Sequence, residues 1–284
     1  MKITTLRTLF HTQLAHLYDV REIDALFFTY IEEKYAIAKH HFFLNPNDDI
    51  EYAEEDLNAL RKATPIQYIL KKTFFYNLEL DLNPAVLIPR PETEELVAMI
   101  LKNLTLLRSS ALTVSKILDI GTGSGAIAIA LAKNMENVEI WATDVSEEAL
   151  KTAKKNAMKC KVNIHFLHHD ILTDDISFLP DNLDIIVSNP PYIPRSEQKK
   201  MPQNVVNYEP ETALFVPDEN PLLFYHAIAE RAKKILRKGG ALYFETHEEF
   251  QFEIAALLAE LDFQEIQCGN DINGKPRFVC CKKL

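Results

Sequence analysis

Cysteine, long apolar runs and positive charge are all scarce in this chain of 284 residues, and each scarcity removes a class of protein. The four cysteines (Cys160, Cys268, Cys280 and Cys281) show neither C-x-x-C pairing nor histidines at zinc spacing, so no metal site is expected. They are also too few for a disulfide framework. No stretch approaches the ~18 consecutive apolar residues of a membrane span. Polar residues interrupt the start, MKITTLRTLFHTQLAHLYDV, too often for a signal-peptide core, and a cytoplasmic location is the resulting expectation. Net charge is -10 and the pI about 5.4, which argues against sequence-independent nucleic-acid binding, a function that draws its affinity from Lys and Arg. Residues 1–85 carry 9 basic and 13 acidic side chains, so no basic domain hides inside an acidic average. Repeats and low-complexity segments are absent too.

What is present is a chain with 47% hydrophobic residues, long enough for one large domain and a small one. Up to about Lys72 apolar residues recur at helical spacing in LRTLFHTQLAHLY, IDALFFTYIEEKY and EEDLNALRKA, broken once at Asn45-Pro46-Asn47-Asp48-Asp49. FFYNLELDL (Phe74 to Leu82) then alternates as a strand or hairpin. From about Val114 the rhythm becomes strand, turn, helix: SKILDIG, AIAIALAKN, VEIWATD, SEEALKTAKKNAMK, VNIHFL, LDIIVSN. That alternation predicts a parallel sheet with helices on both faces. PLLFYHAIAERAKKILRKGG reads as a helix stopped by its glycines, ALYFET as a strand, EEFQFEIAALLAELDF as a helix, and FQEIQC and RFVCCKKL as closing strands.

DIGTGSGAIAIALA places Gly121, Gly123 and Gly125 between the first strand and its helix, where backbone approaches a ligand and the helix N-terminus faces outward. Asp144 ends the next strand, 23 positions beyond Gly121, where a carboxylate accepts the hydroxyls of a ribose. The spacing G-x-G-x-G suits an amino-acid and ribose portion better than a pyrophosphate, so S-adenosyl-L-methionine fits the pair. The plainer alternative is a glycine-rich turn with Asp144 and Ser146 serving as a helix cap. Asp170, at the expected end of the third strand, either bonds an adenine amino group with Ile171 against the ring or is a loop carboxylate.

SNPPY follows the strand LDIIV. Pro190 and Pro191 end the ladder and supply no competing donors. If Asn189 Oδ1 and the Pro190 carbonyl each accept one N–H of a planar NH₂ group, its nitrogen is aimed at the donor methyl and the developing positive charge is stabilised. Tyr192 would pack on the planar acceptor, and Asn189, Pro190 and Tyr192 are the candidate catalytic residues.

Taken with TPIQYIL, LIPRPETEELV, NYEPETAL and DINGKPR, these segments make the chain resemble the peptide chain release factor glutamine methyltransferases (PrmC/HemK), class I S-adenosylmethionine-dependent enzymes. The resemblance implies an α/β fold, a Rossmann-like, mostly parallel seven-stranded sheet with a late antiparallel strand, preceded by a small helical domain. It implies N5-methylation of the glutamine in the Gly-Gly-Gln motif of bacterial class 1 release factors, with S-adenosyl-L-homocysteine as product and an effect on translation termination. By position, cofactor contacts fall on Gly121, Thr122, Gly123, Ser124, Gly125, Asp144, Asp170, Ile171 and Asn189, and glutamine contacts on Asn189, Pro190, Pro191 and Tyr192. The implied layout is a recognition domain at 1–73, a hairpin and linker at 74–90, and the methyltransferase domain at 91–284. Release factors are the expected partners, without direct nucleic-acid or membrane contact, and the chain is expected to be a monomer. Arg90 is either functional or paired with Glu92 or Glu94; Tyr208-Glu209-Pro210 either shapes the pocket edge or ends a loop. Lys71 and His247 stand where many relatives have glycine. An adenine-N6 DNA methyltransferase would use the same Asn-Pro-Pro-Tyr logic, but would need a basic region to hold a duplex.

Overall fold

The structure, a computed structural model, describes residues 1–107 and 115–284, so the expected start of the α/β alternation near Val114 lies outside the described residues. The chain divides into two compact units. One comprises Met1–Lys72 with Pro202–Tyr208, the other Thr73–Met201 with Glu209–Leu284. Among the described residues no helix is long and apolar enough to cross a membrane.

The first unit is helical. Helices Ile3–Leu14 and Val20–Tyr35 carry most of its core, with shorter helices at Lys39–Leu44, Glu54–Leu60 and Ile66–Leu70. Asp19 starts the long helix through a capping box: its side chain accepts from Arg21 and Glu22 N–H, and Glu22 reaches back to the Asp19 N–H. Leu6, Phe10, Leu14, Ile23, Phe27 and Ile31 interlock at helical spacing, and Phe10 meets Phe27 edge-on at 5.5 Å. Lys71 closes the last helix with φ +57°, a left-handed position that glycine takes without strain. Tyr208 also belongs here, donating its hydroxyl to the Lys62 carbonyl at 2.6 Å.

A hairpin follows, Lys72–Phe75 and Leu78–Asp81, with positive φ at both turn residues, Tyr76 and Asn77, as a tight two-residue connection requires. A helix not expected from the sequence then runs over Pro91–Leu107, with Pro91 in the first helical position, where its missing N–H costs nothing.

The sheet of the second unit consists of β1 (Ser115–Ile120), β2 (Val138–Asp144), β3 (His165–His168), β4 (Leu183–Ser188), β5 (Leu236–Glu245), β6 (Phe263–Asn270) and β7 (Pro276–Lys283). Its order is β6-β7-β5-β4-β1-β2-β3. β1 to β5 pair in parallel, and β7 runs antiparallel to both β5 and β6. This is the expected seven-stranded α/β sheet with a late antiparallel strand. Ile117, Ile140, Ile185 and Val187 point to one face, against helices Pro91–Leu107 and Ala126–Asn134. Leu118, Ile120, Ile186 and Leu242 point to the other, against Leu223–Ile235 and Gln251–Glu260. Strands buried on both faces are the reason these segments read as nearly continuous apolar runs.

Two boundaries differ from expectation. VNIHFL forms a strand only from His165, because Lys161 takes a left-handed φ of +57° and Val162 N–H returns to the Ala157 carbonyl to finish the preceding helix. The glycines after ILRK do not stop their helix, which ends at Ile235. They make a bulge in β5, between the Leu183–Leu236 and Ile185–Ala241 pairs. A Cβ at Gly240 would lie 2.8 Å from the Leu183 carbonyl, so the bulge admits only glycine there.

Candidate functional site

The carboxyl ends of β1, β2 and β4 carry the polar groups singled out above. After β1 the chain turns at Gly121 (φ +74°), Gly123 (φ +55°) and Gly125 (φ +84°) before the helix Ala126–Asn134. Gly121 and Thr122 both donate N–H to the Thr143 carbonyl at 2.9 Å, which holds the turn against the end of β2. The three glycines divide the work. A Cβ on Gly125 would meet Ile129 at 2.9 Å and Ala153 at 3.2 Å, so this residue lets the helices pack. A Cβ on Gly121 or Gly123 would meet nothing within 4 Å. The space beside the turn is therefore open, as a ligand resting on the backbone would need.

Asp144 closes this region. Its Oδ2 accepts the Gly123 N–H at 2.8 Å and its Oδ1 the Ser146 N–H at 2.9 Å, and Ser146 separately caps the next helix through Ala149. Capping thus falls to Ser146, while Asp144 ties the turn to β2 with both oxygens fixed in direction and able to accept again. Burial raises its pKa, with the Ser146 and Gly123 N–H groups opposing. Thr122 and Ser124 are buried beneath the turn. Thr122 donates its hydroxyl to Asp119 Oδ2 at 2.7 Å, and Asn156, fully buried, donates to the Ser124 and Asp81 carbonyls. Both residues hold the turn from below. Asp119 itself is fully buried and its pKa is pushed up to about 7 by desolvation, with Asp144 adding to the rise.

Asp170 is engaged in its own loop. Its Oδ1 accepts from Leu172 N–H at 2.9 Å and its Oδ2 from the Thr173 hydroxyl at 3.0 Å. Ile171 is buried in the apolar cluster with Leu118 and Ile120, and among the described residues no hydrogen bond joins Asp170 to the glycine turn.

Asn189 leaves β4 immediately after Ser188, whose hydroxyl is anchored to the Ile120 carbonyl at 2.7 Å. Its Nδ2 donates to Thr93 Oγ1 at 3.2 Å, and Thr93 in turn donates to Glu245 Oε2 at 2.6 Å. Among the described residues neither Asn189 Oδ1 nor the Pro190 carbonyl accepts a hydrogen bond. Tyr192 donates its hydroxyl weakly to Glu245 Oε1 at 3.4 Å and meets the His247 ring edge-on at 6.0 Å. Burial holds its phenol neutral, and the Glu245 charge acts in the same direction. Downstream, Ile193–Pro194 pairs with Phe215–Val216, which fixes the segment leaving the turn. His247 thus bears on the Tyr192 environment itself.

The methyltransferase small domain family matches residues 97–211. A release factor glutamine methyltransferase of Flavobacterium psychrophilum is 43% identical over 285 residues, 98% of each chain. The chain belongs to the release factor glutamine methyltransferase family. Another member, from Bacteroides thetaiotaomicron, is 42% identical over 81% of this chain and 80% of its own. Among solved structures a methyltransferase of Pyrococcus furiosus shares this fold at a TM-score of 0.50 and 18% identity, covering 82% of this chain and 99% of that one.

Two residues around Asn189, Thr93 and Glu245, were given no role from the sequence. Thr93 is a buried partner of Asn189 and Glu245 a buried partner of Thr93, while Glu209 is buried where Arg90 Nη2 and the Ile88 N–H reach its two oxygens at 2.7 and 3.1 Å. Arg90 therefore pairs with Glu209, not with Glu92 or Glu94; Glu94 accepts the Tyr76 N–H. A usable signal was an acid at the end of β5, a strand otherwise apolar at that end.

Proposed function

We propose that this protein transfers a methyl group from S-adenosyl-L-methionine to the N5 side-chain nitrogen of the glutamine in the Gly-Gly-Gln motif of class 1 release factors, in the cytoplasm and as a monomer. The observation that carries the proposal is the Asn189 corner. Two acceptors without a partner among the described residues, Asn189 Oδ1 and the Pro190 carbonyl, stand on a rigid strand end in a chain similar over 98% of its length to a release factor glutamine methyltransferase. Bound against the glycine turn, S-adenosyl-L-methionine supplies an electrophilic methyl group. Gly121, Gly123 and Asp144 hold it: the first two leave open backbone, the third offers carboxylate lone pairs. Asp170 and Ile171 belong to the same proposed site, and given their engagement in loop and core they contribute its floor.

The amide nitrogen of glutamine is a poor nucleophile because its lone pair is delocalised. Accepting both N–H groups on Asn189 and Pro190 orients the nitrogen and stabilises the charge that develops on it. Tyr192 flanks the planar amide, and its neutral phenol keeps that flank uncharged. No strong base is needed before transfer, since the nitrogen becomes acidic only once alkylated. The helical unit recognises factor surface away from the glutamine, with exposed Phe43 and Leu44 as contacts.

Labelled S-adenosyl-L-methionine offered with a release factor, with the same factor lacking its motif glutamine, and with DNA tests the reading. Label is expected on the intact factor only. Label on DNA, the outcome for an adenine-N6 enzyme, or on the factor without its glutamine, sinks it. Phe43→Ala with Leu44→Ala is expected to raise KM for the factor about threefold with kcat unchanged; an unchanged KM removes the recognition role.

A further inference from the structure

We infer that Thr93 and Glu245 are positioning residues that lock the side-chain amide of Asn189 in the orientation that keeps Oδ1 free for the acceptor. The inference rests on the methyl-transfer reading of the Asn189 corner. An asparagine amide has two orientations of nearly equal shape and opposite hydrogen-bonding sense, so orientation must be imposed by its partners. Here the imposition is a directed chain. Glu245, 1% exposed, offers only lone pairs when ionised. Thr93, 5% exposed, has a single hydroxyl hydrogen, and at 2.6 Å it is committed to Glu245 Oε2. Thr93 Oγ1 can then only accept, and what lies 3.2 Å away is Asn189 Nδ2. Turning the amide over would set Oδ1 against an oxygen with no hydrogen to give. The wrong orientation therefore loses a hydrogen bond in a buried setting and gains a repulsion.

The backbone holds both ends of the chain. Ser188 pairs with Phe244 across β4 and β5, so Asn189 and Glu245 are the next residues along two adjacent strands. Thr93 sits in the first turn of Pro91–Leu107, its N–H bonded to the Arg90 carbonyl, and as a β-branched residue it has a stiff χ1.

The lock depends on the charge of Glu245. Burial pushes this carboxyl up to about 7; the Thr93 hydrogen bond and Arg277 on β7 work against burial, while Glu92 works with it. The phenols facing it, Tyr192 and Tyr225, are held neutral by burial. Protonated Glu245 brings its own hydroxyl hydrogen to Thr93, which frees the Thr93 hydrogen to turn towards Asn189 and removes the orientation rule.

The test uses the full-length protein and four forms: wild type, Thr93→Val, Thr93→Ser and Glu245→Gln. Thr93→Val is isosteric without the hydroxyl and is expected to lower kcat about tenfold, with KM for the release factor and affinity for S-adenosyl-L-methionine within threefold of wild type. Thr93→Ser restores the hydroxyl and is expected to recover most of kcat. In wild type kcat is expected to fall on the acid side of neutrality, and this limb is expected to be absent in Glu245→Gln. A second readout needs no turnover: the Asn189 side-chain amide signals in ¹⁵N–¹H spectra are expected to titrate near neutrality in wild type, to stay fixed in Glu245→Gln, and to shift in Thr93→Val. A wild type without glutamine-dependent transfer refutes the proposed function, and the spectra then decide the lock alone. Asn189 signals that neither titrate nor respond to Thr93→Val overturn the lock, as does a kcat lowered equally by Thr93→Ser and Thr93→Val.

Discussion

The glycine turn and the Asn189 corner stand at neighbouring strand ends, yet they are held by contacts of very different range. In the turn, Thr122 bonds Asp119 three positions away, Ser146 bonds Asp144 two away, Gly123 reaches Asp144 across 21, and Asn156 reaches the Ser124 carbonyl across 32. At the corner, Asn189 reaches Thr93 across 96 positions and Thr93 reaches Glu245 across 152. A ligand site made of backbone N–H groups and one following carboxylate can be assembled by a single βαβ unit. A site that must orient one amide side chain needs directed partners, and the sheet supplies them from strands and helices far apart in the chain. Damage to the turn should therefore register as lost stability or lost cofactor affinity, and damage to the corner as lost turnover.

The sharpest test of that division is Asn189→Ala. Removing one group that stabilises developing charge is expected to lower kcat about a hundredfold, while cofactor affinity, measured by titration calorimetry, falls by much less. Equal losses in both would make the corner part of the cofactor site and erase the distinction. On the other side, Gly125→Ala combines a left-handed φ of +84° with a Cβ 2.9 Å from Ile129. Strain and overpacking together are expected to cost about 3 kcal/mol of unfolding free energy. Gly123→Ala meets no protein atom within 4 Å and should cost only about 1 kcal/mol, with a larger fractional loss of cofactor affinity. Denaturant unfolding beside calorimetry separates the two; a Gly123→Ala protein that unfolds early but binds normally would contradict the open cradle.

The same contrast of range explains what could be read in advance. Asp119 to Asp144 is a contiguous pattern whose glycine spacing and acid follow from the geometry of one βαβ unit, so its residues were nameable one by one. SNPPY was nameable too, because two prolines after an apolar run leave carbonyls that no strand can use. Thr93 and Glu245 were not, since nothing within reach of PETEE or of YFET in the chain says that the two meet. The Arg90 pairing went astray for the same reason: Glu92 and Glu94 are near in sequence, while the carboxylate that accepts is Glu209, 119 positions on. The β5 bulge was misread as a helix stop because glycine signals both, and only the Leu183 carbonyl, contributed by the neighbouring strand, decides between them.

Arg90→Ala probes the long-range support without touching the reacting groups. Glu209 is left buried with the Ile88 N–H as its remaining partner, at a cost of about 2 kcal/mol, below the range for a fully buried pair because the Arg90 side chain keeps 31% of its surface exposed. Arg90→Ala with Glu209→Gln removes the uncompensated charge and should recover most of the loss. A double variant as unstable as the single one would show that the carboxylate is not what the pair serves.

Each region also contains one buried carboxyl pushed up to about 7, Asp119 under the turn and Glu245 under the corner. Unfolded, such groups titrate near 4. The folded state therefore holds the extra protons between about pH 4 and 7, and stability falls as pH rises through that window. Between pH 6 and 8 each group should contribute about 1 kcal/mol of this fall, measured by unfolding at the two pH values. Asp119→Asn and Glu245→Gln are expected to remove equal shares of it, because desolvation is the main cause in both. Turnover should separate them: Glu245→Gln alone abolishes the acid limb of kcat, because Asp119 donates nothing towards the acceptor and only Glu245 governs which way the Asn189 amide faces. An Asp119→Asn protein that also loses the acid limb would mean that both carboxyls act through a common fold-wide effect, and the division between a locally built turn and a distantly braced corner would fail.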